Sequence, residues 1–229
     1  YKQEMGSKPP SWKEQLNAYE KQDGLFVHFS NYPRMGLYLV NEYKTPIGFY
    51  SYPLKKGKIA SFATERPYMV IIKPKPEARI LNLKTYSTED YGRDFGILEA
   101  AGFDRKTMLD ARARAYEADN MNASMIWNIT RELAKATTKY SSVQMHPDPK
   151  GGGPTGLWTY LLWKVLGYDG VVDSGLGLIY SAEPHQAVWF NTTKVEVVDI
   201  LKKDLDGGPD KIFAKKNPGF VFDKRMTSE

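Results

Sequence analysis

The alternation of apolar and polar positions divides the chain into strand-like ends around a helical middle. Trp12, Leu16 and Tyr19 recur at i, i+4 and i+7, which predicts a short amphipathic helix within the polar opening stretch, residues 1–24. Apolar runs of strand length follow. Residues 25–29 are apolar and aromatic, 47–52 are bounded by Pro46 and Pro53, 59–62 form a short run, 68–73 lie between Pro67 and Pro74, and 80–83 are a further candidate. The period then changes. Residues 104–118 carry Met108, Leu109, Arg112 and Tyr116 in a helical pattern, and 120–139 set Met125, Ile129 and Leu133 four apart on one stripe. A loop over 141–154 leads to a third helix over 155–166, stopped by Gly167. Short strands over 169–173, 178–180, 187–190 and 195–201 end the pattern, with Ser174-Gly175 and Gly177 as turn residues. Strands, then helices, then strands again predict an α+β fold in one domain spanning 1–229.

Composition narrows this picture only a little. A chain of 229 residues, 41% hydrophobic and 13% aromatic, has the material for a core and does not read as disordered. Cysteine is absent, which excludes disulfides and thiolate metal sites. The three histidines, at 28, 146 and 185, are nowhere four apart on a helix, so no metal site is expected. No stretch approaches the roughly 20 apolar residues of a membrane span, and no charged-then-apolar signal segment opens the sequence. The first residue is Tyr1, so a longer or processed parent chain is expected. The net charge of +5 permits contact with phosphate, on a dinucleotide or on a nucleic acid. Apart from Lys55, Lys56 and Lys58, and Lys202, Lys203, Lys215 and Lys216, the cations are scattered, as on an ordinary basic surface. Neither a Walker loop nor a Rossmann glycine fingerprint is present, and Gly151-Gly152-Gly153 reads as a plain flexible loop.

Three short runs carry chemistry. His28 stands in the apolar strand Leu25-Phe26-Val27-His28-Phe29, followed by Ser30. Strand alternation puts His28 and Ser30 on one face, a polar pair that is costly to bury without partners. A ligand would satisfy it; so would hydrogen bonds within the core. In Gly48-Phe49-Tyr50-Ser51-Tyr52 the glycine allows something flat to approach the backbone, and Tyr50 could stack on a planar ring or simply fill the core. In Glu183-Pro184-His185-Gln186-Ala187-Val188-Trp189-Phe190 a polar stretch leads into an apolar strand, so Glu183 or Gln186 is expected at a sheet rim.

Taken in this order, the runs resemble the ADP-ribosyltransferases, in particular the histidine subgroup described by an H-Y-[E/D/Q] triad. His28-Phe29-Ser30 is similar to its first strand, Gly48-Phe49-Tyr50 to its second, and Gln186-Ala187-Val188-Trp189-Phe190 to its late strand; Tyr168-Asp169-Gly170-Val171-Val172 also looks like a run of phage and mobile-element members. The likeness covers roughly residues 25–85 and 155–200. Phe29 stands where the family usually has glycine, and Gln186 where it usually has glutamate.

The resemblance implies a split β-sandwich with an NAD cleft between two small sheets and a helical insertion over 86–154. It implies NAD as co-substrate, bound by His28, Phe29, Ser30 and Tyr50: His28 on the adenosine-side ribose, Ser30 at the nicotinamide end, Tyr50 stacked on the nicotinamide. Its catalytic residues would be Gln186, Glu183 and Tyr50, with Gln186 on the 2′-hydroxyl of the nicotinamide ribose and Glu183 supplying charge or deprotonating the acceptor. The acceptor would be a macromolecule, protein or nucleic acid, with the basic charge favouring DNA or RNA, and the compartment a bacterial host's cytoplasm. An NAD glycohydrolase, and an inactive binding domain of a larger phage-type assembly, are the alternatives.

Overall fold

The structure is a computed structural model that describes residues 11–34, 46, 48–55, 66–115, 120–136, 154–181 and 184–203. The predicted strand over 59–62, Glu183, Lys56, Lys58, His146 and Gly151–Gly153 lie outside the described residues.

The chain is α+β, with five α-helices and a mixed seven-stranded sheet among the described residues. Helix α1 (Trp12–Tyr19) is opened by a capping box between Ser11 and Glu14. Strands β1 (Phe26–Ser30), β2 (Phe49–Pro53), β3 (Tyr68–Pro74) and β4 (Ile80–Asn82) follow. Helices α2 (Thr88–Ala100), α3 (Arg105–Ala113), α4 (Met121–Ala136) and α5 (Pro154–Tyr160) lead to a π-helical turn, Leu161–Val165, and then β5 (Gly170–Val172), β6 (Ala187–Trp189) and β7 (Val195–Lys202). The sheet order is β4-β5-β6-β2-β1-β3-β7.

The helical middle has a topological reason. β4 and β5 pair in parallel, Ile80 with Gly170 and Asn82 with Val172. A parallel pair cannot be joined by a hairpin and needs a long crossover. Helices α2 to α5 are that crossover. Their side chains Leu98, Met108, Ile126, Trp127, Leu133 and Trp158 share one buried cluster with Leu81, Val171 and Val188 of the strands and with Phe190, just after β6.

On the β1, β3 and β7 side, the same sheet face is filled by Val27, Phe29, Tyr52, Met69, Ile71 and Leu201, with Trp12, Leu16 and Tyr19 of α1 against them. The Tyr19 hydroxyl donates to the Asp199 carboxylate at 2.8 Å. The opposite face joins Val70, Ile72 and Val195 with Val172, Ala187 and Trp189, and Phe26 meets Trp189 edge-on at 5.2 Å. The twisted sheet thus curls so that its two halves close over a shared apolar filling.

Two segments depart from the sequence pattern. Helix α2 carries the capping box Ser87–Asp90, and its buried face includes Asp94 and Leu98; no apolar stripe announces it. The segment 178–180 is not a strand but a bend. The reason is Asp173, whose fully buried carboxylate accepts from the amides of Gly175, Leu176, Leu178 and Ile179 at 2.7–3.2 Å. Those amides are therefore unavailable to a ladder.

Candidate active site

β1 and β2 pair only at Phe26–Pro53 and Val27–Tyr52. Beyond that, β1 continues its ladder with β3 to Ser30–Tyr68, and β2 continues with β6 to Phe49–Trp189. The sheet therefore opens between β1 and β2 at the level of His28, Phe29 and Ser30.

His28 sits at this opening, 2% exposed, with its Nδ1 2.6 Å from the backbone oxygen of Tyr50. A carbonyl only accepts, so Nδ1 carries the proton, and in the neutral ring Nε2 is the acceptor nitrogen. Burial holds the His28 imidazole below its usual range, with the Arg66 charge adding to the effect, which keeps the ring neutral near pH 7. Its ring lies edge-on to Phe49 at 6.4 Å. Ser30 is buried, and its Oγ accepts from the amide of Tyr32 at 3.1 Å, fixing the turn that ends the strand. Phe29 faces the other way, tilted on Tyr52 at 6.2 Å. Tyr50 is half-buried, and its hydroxyl donates to the Pro46 carbonyl at 2.7 Å.

Gln186 immediately precedes β6 and is not a solvated rim residue: it is 4% exposed. Its Nε2 donates to the Tyr52 hydroxyl at 3.1 Å, while its Oε1 is buried with no hydrogen-bond partner among the described residues. Its backbone oxygen accepts from the amide of Asp173 at 2.8 Å, so the loop built around Asp173 also fixes Gln186.

The register separates two sets of side chains. Val27 pairs with Tyr52 and Tyr50 with Val188, which places these four and Gln186 on one face. Ser51 and Trp189, joined by a 2.7 Å hydrogen bond from Nε1 to Oγ, lie on the other, with Phe49 against His28. His28 thus meets the backbone of Tyr50 rather than its ring, and Gln186 meets Tyr52. Tyr52 was not singled out from the sequence. Its signal was alternation from Tyr50, but the strand it would face is 134 positions away.

The glycine of the second motif has a structural occupant. A Cβ at Gly48 would lie 2.6 Å from Val188 Cγ1 and 2.8 Å from the Trp189 oxygen, so the flat object against this backbone is β6 itself. A Cβ at Gly170 would likewise lie 2.6 Å from Trp189 Cε3 and 2.9 Å from the Val188 oxygen. Gly48→Ala and Gly170→Ala are each expected to destabilise the fold by about 1–3 kcal/mol through overpacking against backbone that cannot yield, measured as a lower midpoint in thermal unfolding.

The Tyr168-Asp169-Gly170 run is likewise structural. The Asp169 carboxylate accepts from the Arg79 amide and from Asn191 Nδ2, both at 2.9 Å. The Tyr168 hydroxyl donates to Asp94, which is fully buried and also accepts from the Tyr86 hydroxyl at 2.8 Å and from Arg93 Nε at 3.0 Å. Arg79 lies over the Tyr168 ring at 4.7 Å. Burial and the neighbouring Asp94 charge push both tyrosine hydroxyls well above their usual range, so both stay protonated donors.

Open cavities occur among the described residues. One of about 550 Å³ is lined by Lys84, Asn120, Met121, Asn122, Ser174, Gly175 and Leu176. One of about 170 Å³ lies against Arg79, Tyr86, Arg93 and Tyr168. Neither is lined by His28, Tyr50 or Gln186. Among the described residues no group of three or more histidines and carboxylates could hold a metal ion, and no helix is long and apolar enough to cross a membrane. Compared with known proteins, the chain matches no family model, no curated protein and no solved structure.

Proposed function

We propose that this chain transfers ADP-ribose from NAD to a macromolecular acceptor and releases nicotinamide. The observation that carries the reading is adjacency in the sheet order. His28, Tyr50 and Gln186, taken from three separate sequence motifs, belong to or directly precede the neighbouring strands β1, β2 and β6, beside the point where the sheet opens.

NAD supplies the reactive bond, the one from ribose C1′ to the nicotinamide nitrogen. Its electron pair leaves on nicotinamide, positive charge builds on the ribose, and a lone pair of the acceptor forms the new bond to C1′. The chain's contribution is to hold the sugars and to place dipoles toward that charge. The acceptor nitrogen of a neutral His28 suits a hydroxyl of the adenosine-side ribose. The orphaned Oε1 of Gln186 suits the 2′-hydroxyl of the nicotinamide ribose. A Tyr50 ring tethered through its hydroxyl to Pro46 offers a face for the nicotinamide. Glu183, three residues before Gln186, is the base for the acceptor's proton. His28→Ala is expected to weaken NAD binding by about 1–3 kcal/mol, the cost of unpairing a polar contact, and Tyr50→Ala to weaken it through loss of the stacking face, both read by calorimetric titration.

The acceptor surface we assign to α3 and α4. Arg105 and Arg112 stand on α3, Arg114 is its C-cap residue, and Arg131 and Lys135 stand on α4, while Lys139 lies outside the described residues. Arg114, Arg131 and Lys135 lie 3.6, 3.4 and 3.2 Å from the Glu132 carboxylate, and Arg105 pairs with Glu99, so part of this charge is already balanced. Reversing Arg112, Arg114 and Arg131 together is expected to spare nicotinamide release and reduce transfer; equal loss of both would give the helices a structural role instead.

One observation favours a second reading, a binding domain without turnover: strand alternation puts His28 and Gln186 on opposite faces. Incubation with labelled NAD and separate pools of protein, DNA and RNA distinguishes the readings. Label entering one pool names the acceptor, label released as free ADP-ribose makes the chain a glycohydrolase, and intact NAD in every pool overturns the enzymatic reading.

A further inference from the structure

We infer that Tyr52 is a positioning residue that anchors one end of the buried Gln186 amide and so leaves the other end to the ligand. The inference rests on the proposed NAD chemistry, but the pairing behind it is a property of the fold. Gln186 and Tyr52 are each 4% exposed, and they meet where β1, β2 and β6 come together, at the closed end of the opening. A side-chain amide has a donor end and an acceptor end. Here the donor end is committed: Nε2 gives a hydrogen to the Tyr52 hydroxyl at 3.1 Å. The acceptor end has none: Oε1 is buried and unpartnered among the described residues.

An amide anchored at one end and orphaned at the other is an acceptor waiting for a donor. It selects a hydroxyl-bearing ligand such as a ribose over one that presents only acceptors there. The Tyr52 ring is held in turn by Phe29, tilted at 6.2 Å, and by the apolar cluster of Val27, Leu54, Met69 and Ile71. The hydroxyl therefore stands on a rigid base, as a group that orients another must. Without it the amide loses its anchor, and its free end is no longer held in one place for the ligand hydroxyl.

The test is a four-protein comparison of wild type, Tyr52→Phe, Gln186→Ala and the double variant. Each is assayed for NAD cleavage over a range of NAD concentrations and followed by thermal unfolding. Tyr52→Phe keeps the buried ring, so the fold is expected to persist. A positioning role predicts about a tenfold fall in kcat for Tyr52→Phe when Gln186 is present, the scale of one hydrogen bond, and no further fall in the Gln186→Ala background. An equal fall in both backgrounds, or none in either, overturns the inference.

A second readout does not need turnover. In ¹⁵N-labelled protein the Gln186 side-chain NH₂ pair, identified by its loss in Gln186→Ala, is expected to exchange slowly with water. In Tyr52→Phe it should shift and exchange faster. If wild type cleaves no NAD, the enzymatic reading fails and this resonance alone decides: a pair unmoved by Tyr52→Phe overturns the role of Tyr52, and a shifted pair upholds it.

Discussion

Gln186→Ala is expected to lower NAD cleavage by about 10²-fold or more, the scale of losing one preorganised electrostatic partner of a developing charge. The structure adds a second expectation. The free protein carries an unsatisfied buried oxygen at this residue, and an orphaned acceptor of this kind costs about 1–3 kcal/mol. Replacing the amide with an apolar side chain of similar shape removes that cost. Gln186→Met should therefore abolish cleavage while leaving the unfolding midpoint unchanged or raised, the pattern of a residue kept for function at the expense of stability. Gln186→Glu introduces a carboxylate into the same buried position, where desolvation raises its pKa. Its activity should accordingly rise with pH as the group ionises toward the developing ribose cation. Glu183→Gln separates the two candidates. If Glu183 is the working acid, that change costs at least about 10²-fold and Gln186→Ala costs little; if both variants keep wild-type turnover, neither residue is catalytic.

The second large effect lies away from the site. Asp94→Ala is expected to destabilise the fold by about 3–5 kcal/mol, because it leaves the buried Tyr86 and Tyr168 hydroxyls without their acceptor, at about 1–3 kcal/mol each, and removes the partner of the half-exposed Arg93. For a chain of this size that corresponds to a fall in the unfolding midpoint of roughly 6–20 °C. Asp94 ties Tyr86, before α2, to Arg93 on α2 and to Tyr168, before β5. Arg79 adds a looser contact at 3.9 Å. Its loss therefore unfastens the crossover from both ends of the β4–β5 pair. Lys106→Ala is the surface comparison. Its 2.6 Å pair with Asp110 is exposed, and exposed pairs are worth about 0–1 kcal/mol. A similar midpoint for the two variants would show that the Asp94 cluster is not a stabilising centre.

The sheet was legible from its apolar runs: β4, β5 and β6 lie within the expected segments, and β1, β2, β3 and β7 match theirs but run one residue past the expected end. Both long stripes, Met125-Ile129-Leu133 and Trp12-Leu16-Tyr19, became helices with those faces turned inward. Helix α2 was not legible from periodicity because Gly92, Gly96 and several charges dilute its apolar face. Its capping box, Ser87 with Asp90 three residues on, was the available signal. The 178–180 run has strand composition, and only the position of the Asp173 carboxylate decides that its amides turn inward instead.

The candidate site is nameable from the sequence as a set of residue types and not as a geometry. His28, Tyr50 and Gln186 could be named from the sequence, but their faces depend on a β1–β2 ladder that stops after two pairs. The burial of Gln186 and its bond to Tyr52 depend on a strand order that no local pattern encodes. The motif glycines at 48 and 170 and the Tyr168-Asp169 run turned out to serve close strand packing and the Asp94 network.

The central claim is that the chain binds NAD through the opening between β1 and β2, and calorimetric titration of the wild-type protein with NAD tests it most directly. The account predicts saturable binding at one site per chain, weakened by about 1–3 kcal/mol in His28→Ala and retained in Lys106→Ala. An absence of binding heat from wild type across several temperatures, or an affinity untouched by both His28→Ala and Tyr50→Ala, would contradict it.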